Sequence, residues 1–434
     1  MGDKLFSTLL MIVSVSVLAG LNLLTMPPGK PNGLQAKEER EFLIHYYLMF
    51  KQTPNIPFSK WEPGLRDHWE QSSKNPAIGE AIAFFYGLEG DKKKAETLLA
   101  DMKDYDSDTL RYALEYGDTL PEEWESKLAQ DWVGAKMAVL IYKRNKQYRR
   151  NAEALINLRH FETRAAQFRT VYGAMDVLQF VGMVLLVSMW FSQRHFQAKG
   201  QSFFQLRPLG FNMDALFQFC GFFLLGFVLL SVAVGLAIPS DVGWVGIVTA
   251  YLLQIAWGIY LVKWNLFRGL PHPILETLGF RDLKMRWVYL FQIFGGLAVL
   301  VACYRVAGIL MSLVSWPFDS NELMEQYKKI MEDPLNGGIL FMTVCVVAPI
   351  FEELLFRGII FRVLLAHLKP WLALVGSALL FALMHPPSSW PVIFAIGLGL
   401  GLVYYRSGNL LINIWAHALW NVLALFVAQM DLTV

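Results

Sequence analysis

The stretch PIFEELLFRGIIFR, residues 349–362, sets Glu352, Glu353 and Arg357 among residues that are otherwise almost all apolar. Glu353 and Arg357 stand four apart, so on a helix they share a face and can pair. Glu352 then points elsewhere, about 100° around the helix axis. Two adjacent carboxylates in a low-dielectric site cannot both ionise cheaply, and the unpaired one is a candidate general base for water. Further along, Phe381 and His385 repeat the spacing of four, and so do His417 and Asn421. Three helices that converge would turn a carboxylate, two imidazoles and an amide into one cavity. Such a set can activate water and stabilise an oxyanion, which is amide hydrolysis in outline.

The elements that must position these groups belong to a membrane protein. The chain has 434 residues, 55% of them apolar and only 17% charged, where a soluble chain carries about a quarter charged residues. A span needs roughly 20 apolar residues, and spans are expected near 173–192, 214–237, 242–263, 286–314, 338–364, 370–387, 389–406 and 409–430. Residues 5–26 form a further apolar run behind Lys4. No small-residue cleavage site follows it, so it reads as a retained anchor rather than a removed signal, which makes about nine spans in all. Residues 31–172 differ in character and hold 43 of the 74 charged residues, with apolar positions at helical spacing. They read as a water-facing all-helical domain. YGLEGDKKKAETLL within it looks like a helix-turn-helix repeat unit, although no period recurs. The domain's last helix, RRNAEALINLRHFETRAAQFRT, leads into the membrane, and the amphipathic LPHPILETLGFRDLKMRW at 270–287 is expected to lie along the interface.

The fold class expected is all-α: a polytopic transmembrane helical bundle with an inserted soluble all-helical domain after the first span. In order these are an anchor at 1–30, the water-facing domain at 31–172, additional spans at 173–269 and the segment 270–434 that carries the chemistry. Basic and acidic connections alternate along the chain, which under the positive-inside rule puts residues 31–172 and the C-terminus outside the cell membrane of a bacterium. A net charge of +2 is too balanced to suggest a nucleic-acid partner. Cys220, Cys303 and Cys345 lie in apolar runs without CxxC spacing and read as small buried hydrophobes.

Ionisable residues inside spans are costly and mark function. Here that filter leaves Glu352, Glu353, Arg357, Arg362, His385 and His417, the last with Asn421. EExxxR, FxxxH and HxxxN in this order on consecutive membrane helices resemble the CPBP intramembrane proteases. This family, also called Abi, includes CAAX-prenyl endopeptidases and bacteriocin-processing and self-immunity proteins. The resemblance covers residues 280–434, with LETLGFRD looking like the interfacial segment ahead of the core. It implies an endopeptidase in which Glu352 activates water with help from His385. Glu353 and Arg357 would order the site, and His417 and Asn421 would stabilise the oxyanion. The implied substrate is a peptide or protein near the bilayer, and residues 31–172 are a candidate surface for a protein partner.

Competing readings accompany each feature. Glu353–Arg357 alone could be a structural ion pair, and His417 alone a satisfied core histidine. Glu352, His385 and His417 could instead bind zinc as two imidazoles and a carboxylate, though no HExxH is present. A glutamate mechanism without a metal or other cofactor is the reading preferred here. Gly397 and Gly401, at GxxxG spacing, are explained by close helix packing. Other function classes are a non-catalytic membrane scaffold or immunity protein and a proton-coupled transporter. The transporter would show inverted repeats, and none is visible.

Overall fold

A computed structural model describes residues 76–101, 132–198, 211–238, 243–266, 287–313 and 329–429, with isolated positions among 8–14, 43–48 and 62–69, and residues 209 and 327. Among the described residues there are helices and turns and no strand. The chain divides into two compact units. One is Met1–Gly29 with Ala174–Thr433, and the other is Lys30–Gly173 with the terminal Val434.

In the unit Lys30–Gly173, α1 (Pro76–Leu88) and α2 (Lys92–Asp101) form a hairpin. Gly90 turns it, because its φ of +85° is a conformation that side chains rarely adopt. Helix α3 (Trp132–Arg144) follows, and then α4 (Tyr148–Ala198), whose residues from Ala174 onward belong to the other unit. The core is aromatic and dry. The Tyr47 ring stacks on Phe85 at 4.1 Å, with Trp132 5.7 Å from Tyr47. The Tyr47 hydroxyl donates to Glu89 Oε1 at 2.7 Å, so the polar tip of a buried ring meets a surface carboxylate.

In the other unit, α5 (Met213–Ala237), α6 (Gly243–Leu261) and α7 (Trp287–Leu313) precede the segment of interest. Asn212 caps α5 by accepting from the Asp214 N–H. Helix α8 spans Pro334–His367. Asp333 caps it through the Asn336 N–H, and Pro334 sits in the first turn, where its missing N–H costs nothing. It is followed by α9 (Pro370–Leu383), α10 (Trp390–Ser407) and α11 (Leu410–Gln429). Helix α7 packs on α10 and α11, α9 packs on α10, and α5 on α6. Gly397 and Gly401 of α10 permit the α9 contact: a Cβ on Gly397 would crowd Ala378 and Phe381, and one on Gly401 would meet Leu374.

Among the described residues seven helices are long and apolar enough to cross a membrane, against the nine or so expected. Two positions account for the difference. The 5–26 run lies outside the described residues apart from Thr8, Leu10, Met11 and Ser14. The span expected at 370–387 is a helix of only 14 residues that ends at Leu383. Pro386 and Pro387 follow at once, and proline cannot continue the backbone ladder. The interfacial segment expected at 270–287 falls outside the described residues except for Trp287. On the span surfaces Phe180, Leu236 and Phe291 are more than two-thirds exposed, as lipid-facing residues must be. The chain is an integral membrane protein.

Candidate active site

Helix α8 is not uniform. Two π-helical stretches, Thr343–Val347 and Glu353–Phe361, flank the short α-helical stretch Ala348–Glu352. Pro349 supplies a cause for the first. It has no N–H for the Cys345 carbonyl, and its ring would strike that carbonyl in a regular helix. Widening the turn relieves the clash. Such stretches loosen the backbone ladder and recur at functional sites. In a span the affected carbonyls need donors from elsewhere, and neighbouring helices provide them. Asn421 Nδ2 donates to the Val344 carbonyl at 2.8 Å, and Ser377 Oγ donates to the Phe356 carbonyl at 3.1 Å.

The second π stretch opens on Glu353, which is fully buried beside the equally enclosed Arg357. Arg357 Nη1 donates to Glu353 Oε1 at 2.8 Å and Nη2 donates to the Gly397 carbonyl at 3.1 Å. Asn413 Nδ2 donates to Glu353 Oε2. His417 Nδ1 lies 2.8 Å from Glu353 Oε1. A carboxylate with a guanidinium, an amide and an imidazole on it is a satisfied buried anion. Because an ionised carboxylate only accepts, the proton of the neutral His417 ring sits on Nδ1. Nε2 is left with its lone pair, and becomes a donor when the ring takes a second proton.

Glu352 is in a different state. Its side chain keeps 14% of its surface, and its Oε2 lies 3.7 Å from His417 Nε2. That separation exceeds a direct hydrogen bond, so the two groups face each other without pairing. Its Oε1 accepts from the Tyr251 hydroxyl on α6 at 2.8 Å.

His385 sits just past the end of α9. Its Nδ1 lies 2.9 Å from the Phe381 carbonyl, which can only accept, so Nδ1 carries the proton and Nε2 is the free acceptor. Trp390 Nε1 donates to the His385 carbonyl at 2.8 Å. The Phe381 ring joins these parts. It meets His385 edge-to-face at 4.9 Å between centroids and His417 at 6.0 Å, and the Arg357 guanidinium lies over it at 4.5 Å.

Glu352, Glu353, Arg357, His385 and His417 thus gather around Phe381. Asn421 is held at Val344, one helical turn beyond His417, with one of its two Nδ2 hydrogens spent there. Arg362 is buried, and its carbonyl accepts from the Leu209 N–H at 3.0 Å. Two site residues escaped the sequence reading. Asn413 stands four before His417, so Asn413, His417 and Asn421 form one stripe, and a filter for amides as well as ionisable groups finds it. Tyr251 has no such signal, since a tyrosine in a span is ordinary. Among the described residues no group of three or more His, Cys, Asp or Glu side chains is placed to hold a metal ion. In both His385 and His417 Nδ1 is engaged and Nε2 keeps its lone pair, so Nε2 is the atom each imidazole would offer a metal.

Residues 334–423 match the family described as Rce1-like, type II CAAX prenyl endopeptidase. Among curated proteins, the UPF0177 protein YvdC of Lactococcus lactis subsp. lactis (strain IL1403) is 30% identical over 152 residues. The match covers 33% of this chain and 56% of that relative, so the chain spans little more than half of the relative's length. No solved structure matches the chain. All the site residues except Tyr251 fall inside residues 334–423, the segment of this integral membrane protein that is similar to the Rce1-like, type II CAAX prenyl endopeptidase family.

Proposed function

We propose that the protein hydrolyses a peptide bond at or within the bilayer, with Glu352 as the base that activates water. The observation that carries this reading is the asymmetry of the two glutamates. Glu353 is closed off by Arg357, Asn413 and His417, whereas Glu352 keeps exposed surface and turns Oε2 toward His417 Nε2 at 3.7 Å. His417 takes a proton from solvent at Nε2 before the reaction. A water on Glu352 Oε2 gives one proton to that carboxylate as its oxygen adds to the peptide carbonyl carbon, and keeps the other as the hydroxyl of the tetrahedral intermediate. His385, with Nε2 free, assists in holding that water. The oxyanion is met by the His417 Nε2–H and by the remaining Nδ2 hydrogen of Asn421. The proton on Glu352 then passes to the leaving amine as the C–N bond breaks, which returns the carboxylate. Glu353 and Arg357 hold His417 in register throughout.

The substrate class suggested by the family is a C-terminal segment, prenylated or presented beside the membrane. Residues 31–172 are proposed to face the extracytoplasmic side and to meet substrate or a protein partner there. The test is cleavage by the purified protein in detergent of a set of quenched fluorogenic peptides, half ending in a farnesylated cysteine plus three residues and half unmodified. Cleavage by wild type and none by Glu352→Gln is expected, unchanged by a chelator. Full activity of Glu352→Gln removes the assignment. Loss of wild-type activity on chelation transfers the reaction to a zinc-dependent form of the same site.

A further inference from the structure

We infer that Tyr251, which lies on α6 outside residues 334–423, is a positioning residue for Glu352: its hydroxyl holds one carboxylate oxygen so that the other stays turned toward His417. The inference rests on the reading of Glu352 as the base.

A glutamate side chain has three rotatable bonds, and ordering it costs rotamer freedom. Glu352 is the last residue of the short α-helical stretch, immediately before the backbone widens into a π turn. Its direction is not settled by its own helix. Tyr251 reaches it from another helix with a 2.8 Å bond to Oε1, and since the carboxylate can only accept, the phenol is the donor. With Oε1 held, rotation about the last bond is blocked, and Oε2 stays 3.7 Å from His417 Nε2.

The helix that carries Tyr251 is itself fastened. Gln254 Nε2 donates to Ser231 Oγ at 3.0 Å and Trp257 Nε1 donates to the Phe222 carbonyl at 3.0 Å, both on α5. Gly258 stands seven residues after Tyr251, hence two turns along the same face. The Phe351 ring rests against it so closely that a Cβ there would come within 2.7 Å. Phe351 is the neighbour of Glu352 and also meets Phe223 of α5, at 6.2 Å between rings. Helix α6 thus grips two successive residues of α8, one by shape and one by a hydrogen bond. A phenol that only filled space would not need its oxygen on the one carboxylate that the buried network leaves open.

The test uses the full-length protein in detergent and needs no known substrate for its first arm. The carboxyl infrared band of Glu352 is assigned by subtracting Glu352→Gln and is titrated with pH. Removing a hydrogen bond to the charged form makes protonation easier, so in Tyr251→Phe the midpoint moves to higher pH by about tenfold or more in proton affinity. Replacing Tyr251 by 3-fluorotyrosine, which keeps the shape and strengthens the donor, moves it the opposite way. Glu353, Arg357, His385, His417 and Tyr327 also act on Glu352. All five are the same in every variant, so the difference reports the hydroxyl alone. In the second arm, on the fluorogenic peptide that wild type cleaves, Tyr251→Phe lowers kcat about 10-fold to 100-fold with KM unchanged. An unmoved titration in both variants overturns the inference, and so does wild-type kcat in Tyr251→Phe. If Tyr251→Phe does not fold, the fluorotyrosine titration decides alone. Cleavage by Glu352→Gln at the wild-type rate removes the base and its positioning together. An inactive Glu352→Gln beside a wild-type-like Tyr251→Phe removes only the role of Tyr251.

Discussion

The core of residues 30–173 and the core around Glu353 are equally closed to solvent and built from opposite materials. Ile78, Phe84, Phe85 and Tyr47 have no exposed surface, and neither have Glu353 and Asn413. In the first, burial itself stabilises, at about 25 cal/mol per Å² of apolar surface. In the second, the desolvation of Glu353 and Arg357 roughly offsets their attraction, and apolar residues of the same size would serve stability as well or better. A span in lipid has a ready supply of apolar residues to pack, so stability alone does not explain a paired anion there.

The contrast makes predictions of graded size. Glu352→Gln is expected to lower peptide cleavage by about 100-fold to 10,000-fold with the melting temperature in detergent unchanged, since Glu352 is not part of the closed network. Arg357→Met leaves Glu353 buried without its cation and should cost about 3–5 kcal/mol, read as a lower denaturation midpoint. Adding Glu353→Leu to Arg357→Met is expected to recover most of that stability and none of the activity. A double variant as unstable as the single one would show that the ion pair is structural, and would break the comparison. In the apolar core, Phe85→Ala should cost a similar 3–5 kcal/mol, with cleavage per folded molecule retained.

Smaller effects sharpen the same contrast. Asn413→Leu removes a donor to Glu353 but also a carbonyl oxygen that is buried without a partner. A net cost of about 1 kcal/mol is expected, with a larger loss in cleavage because His417 and Glu353 lose register. Tyr47 gives the smallest signal. Burial first, then the bond to Glu89 and its charge, raise the Tyr47 phenol well above its ordinary 10.0. An unfolded tyrosine loses its proton near pH 10 while the folded one keeps it, so this contribution is complete below pH 10 and is lost as pH rises past it. Calorimetry of the intact protein should show the wild type losing more stability than Tyr47→Phe between pH 9 and pH 11. Equal losses would show that the hydroxyl is not shielded.

Much of the site was legible before any coordinates. Charges at a spacing of four inside an apolar run announce a buried pair, so Glu353–Arg357 and the separate standing of Glu352 followed from the pattern. The span expected at 370–387 is a helix of 14 residues, too short to cross, that stops ahead of Pro386 and Pro387. The π stretches were not legible. Pro349 widens the first, and donors on other helices, Asn421 and Ser377, meet one carbonyl in each stretch. Tyr251 was invisible because its meaning lies in a partner 101 positions away.

By itself the sequence determined the membrane setting, the helical class and which helices bear the ionisable groups. Those properties depend on composition and local spacing, which hydrophobicity and helix geometry translate directly. Tertiary structure alone decided which groups from other helices reach each glutamate, because contacts between distant positions leave no local pattern in the sequence. Arg357, Asn413 and His417 close around Glu353, while Tyr251 holds one oxygen of Glu352 and leaves the other facing His417.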